Sequence, residues 1–451
     1  MVEKSSSLFA EIEQAKVRRF RTCANDEVRS GHSVLNEGFD YVDGALFLNK
    51  GQGAYVFDVQ GNRYIDFALG AGTHLLGHAP PRVVAAVNRR VEGGSLFVRP
   101  NLEAHHFAEQ LASIQPSPKQ FAFCNSGAEA TMRAMRVARG YSGRTKIAIW
   151  PGGWHGSQDW GLFEEAPGDG ANFPSLHARS AGIPVDLARH LVLLPQSIDQ
   201  CVSFVEQHAD ELAMVFIEPI RGPLPLPESA AVLPALREVT RRCGVLLGFD
   251  EVVTGFRLAL GGGQERYEVD ADIVAYGKIA GGGLPIGIVG LTETIATKVS
   301  ANSSASTDIV YFGGTFSANP LSMAAGLATI QQLLETRESL YPRLDGLTEW
   351  FLARVNAQFD RSGVPIRCVG LSGILRFLFT DKRITTRRER DMLEASRAIQ
   401  DLFYDMLLLD GIHVGTNRIM FLSDQHDEEH MIQLVSSSER AGGALRDAGL
   451  L

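Results

Sequence analysis

The chain predicts an α/β fold: a largely parallel sheet wrapped by helices, with a smaller α+β domain after it. Three observations lead there. Short apolar runs alternate with amphipathic stretches from Phe121 to Leu291, the pattern of repeated β-α-β units. That alternation stops near residue 340, and helices then mix with closely spaced strands. The 451 residues are also too many for one small core.

Taken in order, residues 5–30 read as a polar amphipathic helix, an N-terminal arm. GAYVFDVQGNRYIDF, Gly53 to Phe67, gives two alternating strands around Gln60-Gly61-Asn62. Residues 70–81 are a Gly/Ala/His-rich loop, and Pro81 to Glu92 is helical by periodicity with a proline at its start. Strands are expected at Phe121–Cys124, Lys146–Trp150, Met214–Ile217, Val245–Phe249, Ile273–Tyr276 and Ile286–Leu291. Helices are expected at 128–141, packing through Met132, Met135, Val137 and Ala138, and at 229–242. Residues 157–190 have no clear period and are rich in small residues, which suits a lid. A helix from Leu321 to Leu334 leads out of the sheet. Strands near Arg367–Val369 and Ile374–Phe379, a helix over 388–409, a strand near Arg418–Leu422 and a last helix from about 428 follow. The implied domains are 1–75 (arm and small strands), 76–335 (large domain) and 336–451 (small domain).

Bulk composition narrows the function. A net charge of −9 with no basic run argues against nucleic acid. No apolar run reaches a membrane span, and the N-terminus has no apolar signal-peptide core. Five scattered cysteines without a Cys-x-x-Cys pair suit a reducing cytoplasm and no structural zinc. His105-His106 is the one tandem histidine pair, and helix neighbours point apart, so no metal is expected.

Ligands of parallel sheets sit at the carboxyl ends of strands, and the chemistry-bearing residues fall there. Lys278 follows the apolar strand Ile273–Tyr276 and precedes Gly281-Gly282-Gly283. An amine walled by apolar side chains is desolvated, its pKa falls, and it becomes a nucleophile toward carbonyls. A surface lysine in a Gly-rich turn is the alternative. CNSGAEATMRAMR, 124–136, turns from a strand into a helix through Ser126, Gly127 and Ala128, where free N–H groups suit a phosphate or Ser126 simply caps the helix. Trp154, in GGWHG, can stack on a flat ring or serve as a core aromatic. VLLGFDEVVTGFR delivers Asp250 to a strand end, as a partner for a protonated ring nitrogen or as an ion pair with Arg257; Glu218, ending MVFIEP, repeats the pattern. Thr315, in GGTFSANP, offers a hydroxyl to a phosphate or caps the next helix. Phosphate donors, a stacking ring, a buried carboxylate and a desolvated lysine are together what pyridoxal 5′-phosphate requires.

These stretches, with YGKIAGGGLPIG and GGTFSANPLSMAAG, resemble the class III (fold type I) pyridoxal-phosphate aminotransferases, closest to the glutamate-1-semialdehyde aminomutase-like members. The resemblance covers about residues 45–335 well. It implies a mostly parallel, seven-stranded-type sheet. It implies that Lys278 is the Schiff-base lysine and Asp250 the pyridinium partner, that Ser126, Gly127 and Ala128 hold the phosphate, and that Trp154 and Val252 cover the two ring faces. It further implies that Thr315 contacts the cofactor phosphate of the neighbouring subunit in a homodimer. The substrates would be a small amino donor and a carbonyl acceptor. Arg99, in a loop bordering the family's substrate site, is a candidate for a substrate carboxylate, with His155 and Asn417 as further substrate candidates. The aminomutase's N-terminal substrate arginine has no counterpart in GHSVLNEGFDYVD, 31–43, which holds neither Arg nor Lys. That departure favours transfer between two molecules over transfer within one. A nicotinamide-dependent enzyme is disfavoured, because no G-x-G-x-x-G turn follows a first strand.

Overall fold

The structure, a computed structural model, describes residues 2–20, 46–166, 176–300 and 308–451. It divides into two compact units, one of residues 81–341 and one of residues 1–80 with 342–451. No helix among the described residues is long and apolar enough to cross a membrane.

The larger unit is built on a seven-stranded sheet. Across it the strands run Gln120–Cys124, Gly287–Leu291, Ile273–Gly277, Leu246–Glu251, Leu212–Ile217, Lys146–Ile149 and Leu191–Leu193. Only Gly287–Leu291 runs against its neighbours; the other pairings are parallel. Every residue of Leu212–Ile217 is buried, as a strand covered on both faces requires. The helix Gly127–Ser142 packs through Ala130, Ala134, Met135, Val137 and Ala138. Small side chains on that face let it lie close, and each larger one contributes about 1.5–3 kcal/mol by leaving water. Met132 is half-buried, and the charged Arg133 takes a buried place instead.

Several expectations are revised here. The helix Leu102–Ile114 is new; it buries just Phe107 and Leu111, a thin periodic signal, and starts at Asn101, whose side chain accepts from Ala104 N. The stretch 229–242 begins as a 3-10 turn, Pro227–Val232, and becomes α-helical at Leu233–Cys243, with a proline in the first turn where no N–H is needed. Within 157–190 the described residues include a hairpin, Phe163–Glu165 with Leu176–Ala178, and a 3-10 turn at Val185–His190. The helix after Asn319 runs from Pro320 to Ser362, past Pro342, because an apolar stripe of Leu340, Leu344, Phe351, Val355 and Phe359 continues through it. The arm is helical over Val2–Phe20; residues 21–30, and the segment 31–43, lie outside the described residues.

The smaller unit has a four-stranded sheet, Leu48–Gln52, Tyr55–Asp58, Arg63–Asp66 and Ile412–His413, and a three-stranded one, Arg367–Leu371, Ile374–Leu378 and Met420–Phe421. The stretch 388–409 forms two helices, Arg387–Leu393 and Arg397–Leu409, broken where Ala395 N turns to Phe379 O. The last strand is shorter than 418–422 because Arg418 has a left-handed φ of 58°. The final helix is Glu428–Asp447. At the end of Arg63–Asp66, Asp66 accepts from His78 Nε2 (2.6 Å), His413 Nδ1 (2.8 Å), Ala68 N (2.9 Å) and Leu69 N (3.1 Å). It anchors a left-handed turn, Leu69 to Gly72, in which all four residues have positive φ.

Candidate active site

Five connections of the larger unit leave its sheet at one edge. The parallel strands end there, and each brings one candidate residue to the same edge. Gln120–Cys124 leads to Ser126, Lys146–Ile149 to Trp154, and Leu212–Ile217 to Glu218; Leu246–Glu251 carries Asp250, and Ile273–Gly277 leads to Lys278. The glycines measure how tightly these ends meet. A methyl group on Gly127 would lie 2.8 Å from Val252 Cγ1. One on Gly277 would lie 3.4 Å from Val252 Cγ1 and 3.5 Å from Gly127 Cα. One on Gly156 would lie 2.8 Å from Ala128 Cα. The phosphate turn, the Trp154 loop, Val252 and the backbone beside Lys278 are thus brought together, as their order along the chain implied.

Ser126 is the N-cap of Gly127–Ser142, accepting from Glu129 N at 3.1 Å. Capping uses a lone pair and leaves the hydroxyl proton to donate, so the cap and a phosphate contact are compatible. The helix N-terminus adds partial positive charge.

Asp250 is 3 % exposed. Its Oδ2 accepts from His155 Nδ1 at 2.8 Å and its Oδ1 from Val252 N at 3.1 Å. Its ion-pair geometry is with His155. His155, expected as a substrate candidate, is itself 3 % exposed and stacked near Phe216, so it supports Asp250 instead. Burial works against a charged imidazole, but the hydrogen bond and charge of Asp250, with Glu218 beyond, raise its pKa overall. Glu218 accepts from Trp154 N (3.0 Å) and Gly222 N (3.2 Å). Burial and the nearby Asp250 charge push its carboxyl above the usual range. The next strand residue, Glu251, points to the other face and accepts from Thr254 Oγ1, Gly263 N and Gln264 N.

Lys278 is half-buried, with its pKa lowered to about 8. Burial is the main cause and the Arg257 charge adds to it, while Asp250 and Glu218 act in opposition. Its φ is +48°, a left-handed backbone that side chains rarely adopt. A desolvated amine on a left-handed backbone, within the field of two carboxylates, has the character a carbonyl-attacking lysine needs. The set fits pyridoxal 5′-phosphate: a reactive amine, a carboxylate with acceptor capacity left for a ring N–H, and a helix terminus for the phosphate.

Trp154 is 40 % exposed, with the Arg179 guanidinium 5.2 Å from its ring centre, so it is no core aromatic. Thr315 is exposed on a turn tethered to the Gly127–Ser142 helix by Arg133 Nη2 to Gly313 O, 2.7 Å. Arg99 is exposed, next to Val98 at φ 50°. Asn417 lies in the smaller unit, where its side chain accepts from Ile419 N. Sequence reading missed that His155 turns inward to hold Asp250; the GGWHG motif was the available signal, but it does not say which residue turns inward.

Residues 40–389 match the model of the family described as aminotransferase class-III. Among curated proteins, the chain is 34% identical to a glutamate-1-semialdehyde 2,1-aminomutase of Persephonella marina, covering 97% of this chain and 98% of that one. Among solved structures, it is similar to an omega-transaminase from Sphaerobacter thermophilus, with TM-score 0.82, 30% identity and 97% of each chain covered. A glutamate-1-semialdehyde aminomutase from Pseudomonas aeruginosa PAO1 shares the fold, with TM-score 0.84, 22% identity and 99% of each chain covered.

Proposed function

The chain belongs to the class-III aminotransferases, and from that premise we propose that it moves an amino group from a small amino donor to a separate carbonyl acceptor by way of Lys278. Enzymes of this family work with pyridoxal 5′-phosphate, which when bound supplies an electron sink for the carbon that loses its proton. The observation that carries the residue assignment is the meeting of Lys278, Asp250 and the Gly127 turn at one sheet edge.

In this reading Lys278 Nζ would hold the cofactor, and when its amine is free it would take the proton from the substrate carbon and return it. A pKa near 8 leaves a useful fraction of neutral amine at working pH. Asp250 keeps a proton on the ring nitrogen, with its carboxylate fixed by His155 Nδ1–H. Ser126, Gly127 and Ala128 hold the phosphate. Trp154 and Val252 cover the ring faces, and Glu218 fixes Trp154 through its backbone N–H. The enzyme works as a homodimer in which each Thr315 serves the opposite protomer's phosphate; the exposure of Thr315 beside exposed Tyr311 and Phe316 supports this. Unpaired Cys124, Cys201, Cys243 and Cys368 support a cytoplasmic location. Arg99 and Asn417 are offered as substrate contacts.

Intermolecular transfer is preferred because 31–43 carries no cation to hold a second end of a small intermediate. Aminomutation is the second reading, favoured by the aminomutase relatives. A panel of amino donors mixed with the loaded enzyme, without acceptor, tests both. Full conversion of the cofactor to its aminated form by a simple donor, followed by turnover with an added carbonyl compound, is expected. Turnover of glutamate-1-semialdehyde alone, with no donor accepted, would overturn the preference.

A further inference from the structure

Arg133 and Gly313 are 180 residues apart in the chain and are joined by one hydrogen bond, from Arg133 Nη2 to the Gly313 carbonyl at 2.7 Å. The same nitrogen donates to Glu129 Oε1 at 2.9 Å, one helical turn earlier. Glu129 Oε2 accepts from Asn125 N at 2.7 Å, and Glu129 N donates to Ser126 Oγ at 3.1 Å. Two side chains therefore connect the turn at Ser126 to the turn that presents Thr315. The Arg133 side chain is 8% exposed, and its guanidinium lies 4.6 Å from the Phe312 ring centre. A guanidinium so placed loses most of its hydration and is kept by an acid, a carbonyl and an aromatic face. Apolar packing would hold the helix as well. What the cation adds is a fixed direction for the Gly313 carbonyl, and so for the turn that follows it. The far end of that turn is held separately, by Asn101 Nδ2 on the Ala318 carbonyl at 3.0 Å.

We propose that Glu129 and Arg133 are positioning residues for the cofactor phosphate, the acid setting the Ser126 turn and the guanidinium setting the Thr315 turn. The inference rests on the reading of those two turns as phosphate contacts. Neither side chain touches the phosphate itself: Glu129 acts through Asn125 N, and Arg133 through the Gly313 carbonyl. In the proposed homodimer one pair then serves two cofactors, its own through Ser126 and the opposite protomer's through Thr315. The pair has no role toward the ring or the aldehyde, so its effect is confined to ligands that carry the phosphate.

The test compares two ligands on the full-length protein, stripped of cofactor: pyridoxal 5′-phosphate and pyridoxal, which has the same ring and aldehyde but no phosphate. Dissociation constants are read from the absorbance of the bound form. Arg133→Met removes both donated bonds and is expected to weaken pyridoxal 5′-phosphate about tenfold while leaving pyridoxal unchanged. Arg133→Lys, which keeps the charge but not the fork of donors, should fall between Arg133→Met and wild type. Glu129→Gln should weaken the phosphorylated ligand alone. Combining Arg133→Met with Thr315→Val should cost less than the product of the two single effects, because the guanidinium acts partly through that turn. Equal weakening of both ligands, no weakening of either, or a full product in the double variant would each overturn the proposal. If Arg133→Met does not fold, Arg133→Lys and Glu129→Gln carry the same comparison. Ser126→Ala and Thr315→Val on their own test the underlying reading. If they weaken the phosphorylated ligand and Arg133→Met does not, the inference fails while the phosphate assignment stands. If they leave it unchanged, the assignment falls and the inference with it.

Discussion

Two buried aspartates, one in each unit, end an apolar strand and take a histidine as partner, yet they differ in what is left over. Asp66, in the smaller unit, accepts from two histidines and two backbone N–H groups. Asp250, in the larger unit, accepts from one histidine and one backbone N–H. A carboxylate has about four acceptor positions, so Asp66 is saturated and Asp250 is not. Saturation makes Asp66 a fastener for the left-handed turn Leu69–Gly72. Spare capacity, with a desolvated lysine nearby, is what the proposed role of Asp250 at a ring nitrogen requires. In a buried site the count of unused acceptors separates structure from chemistry better than burial does, since the two are 2 % and 3 % exposed.

The comparison can be broken in several ways. The largest effect is expected where the larger unit loses its nucleophile: Lys278→Ala should cut kcat by roughly 10⁴-fold or more, with no cofactor left attached after borohydride. Replacing the two aspartates should then separate them. Asp250→Asn is expected to lower kcat by about 10³-fold while changing the melting temperature little. Asp66→Asn should instead cost about 3 kcal/mol of folding stability, the price of breaking a buried charge pair. If denaturant titration found both variants equally destabilised, the distinction would be wrong.

The acid response sharpens it further. Burial alone would raise the pKa of Asp66, but the bonds from His413 and His78 outweigh burial and hold it well below the usual carboxylate range. Its contribution is therefore complete above the unfolded-state value of about 4 and is lost as pH falls below that. The stability gap between wild type and Asp66→Asn should narrow between pH 5 and pH 2 on that basis, to about half or less. Lys278 responds in the opposite pH range. With its pKa pulled down to about 8, its rate of covalent attachment to added cofactor should rise with pH and level off above about 8, followed by stopped-flow absorbance. The smallest effect is assigned to exposed Arg99. Arg99→Ala should raise KM about fivefold for acidic substrates and leave simple amines unchanged, the size expected of an exposed charge contact. Equal changes for both substrate types would retire that role.

Much of this was legible in the chain. Pro81–Glu92 is a helix over the residues its periodicity gives, and the strands that carry Asp250 and Lys278 fall within a residue or two of expectation. These segments have dense, regular apolar patterns. Leu102–Ile114 was missed because two buried side chains make too faint a stripe. The left-handed Leu69–Gly72 turn was also invisible: leucine and alanine carry no signal for positive φ, and Asp66 with its histidines imposes it from outside the segment. His155 was misjudged for a related reason. Its sequence neighbours say that it lies near a strand end, but whether it faces substrate or Asp250 depends on a strand almost a hundred residues away.

The positive φ of Lys278 has a consequence for the protein's history and its engineering. Glycine would adopt that backbone freely, whereas any other side chain carries about 1 kcal/mol of torsional load there. Lys278→Gly should therefore melt at a higher temperature than Lys278→Ala while being just as inert. A search guided by heat resistance alone would drift toward losing the proposed cofactor-holding amine at this codon, so selection for turnover has to be applied at every round.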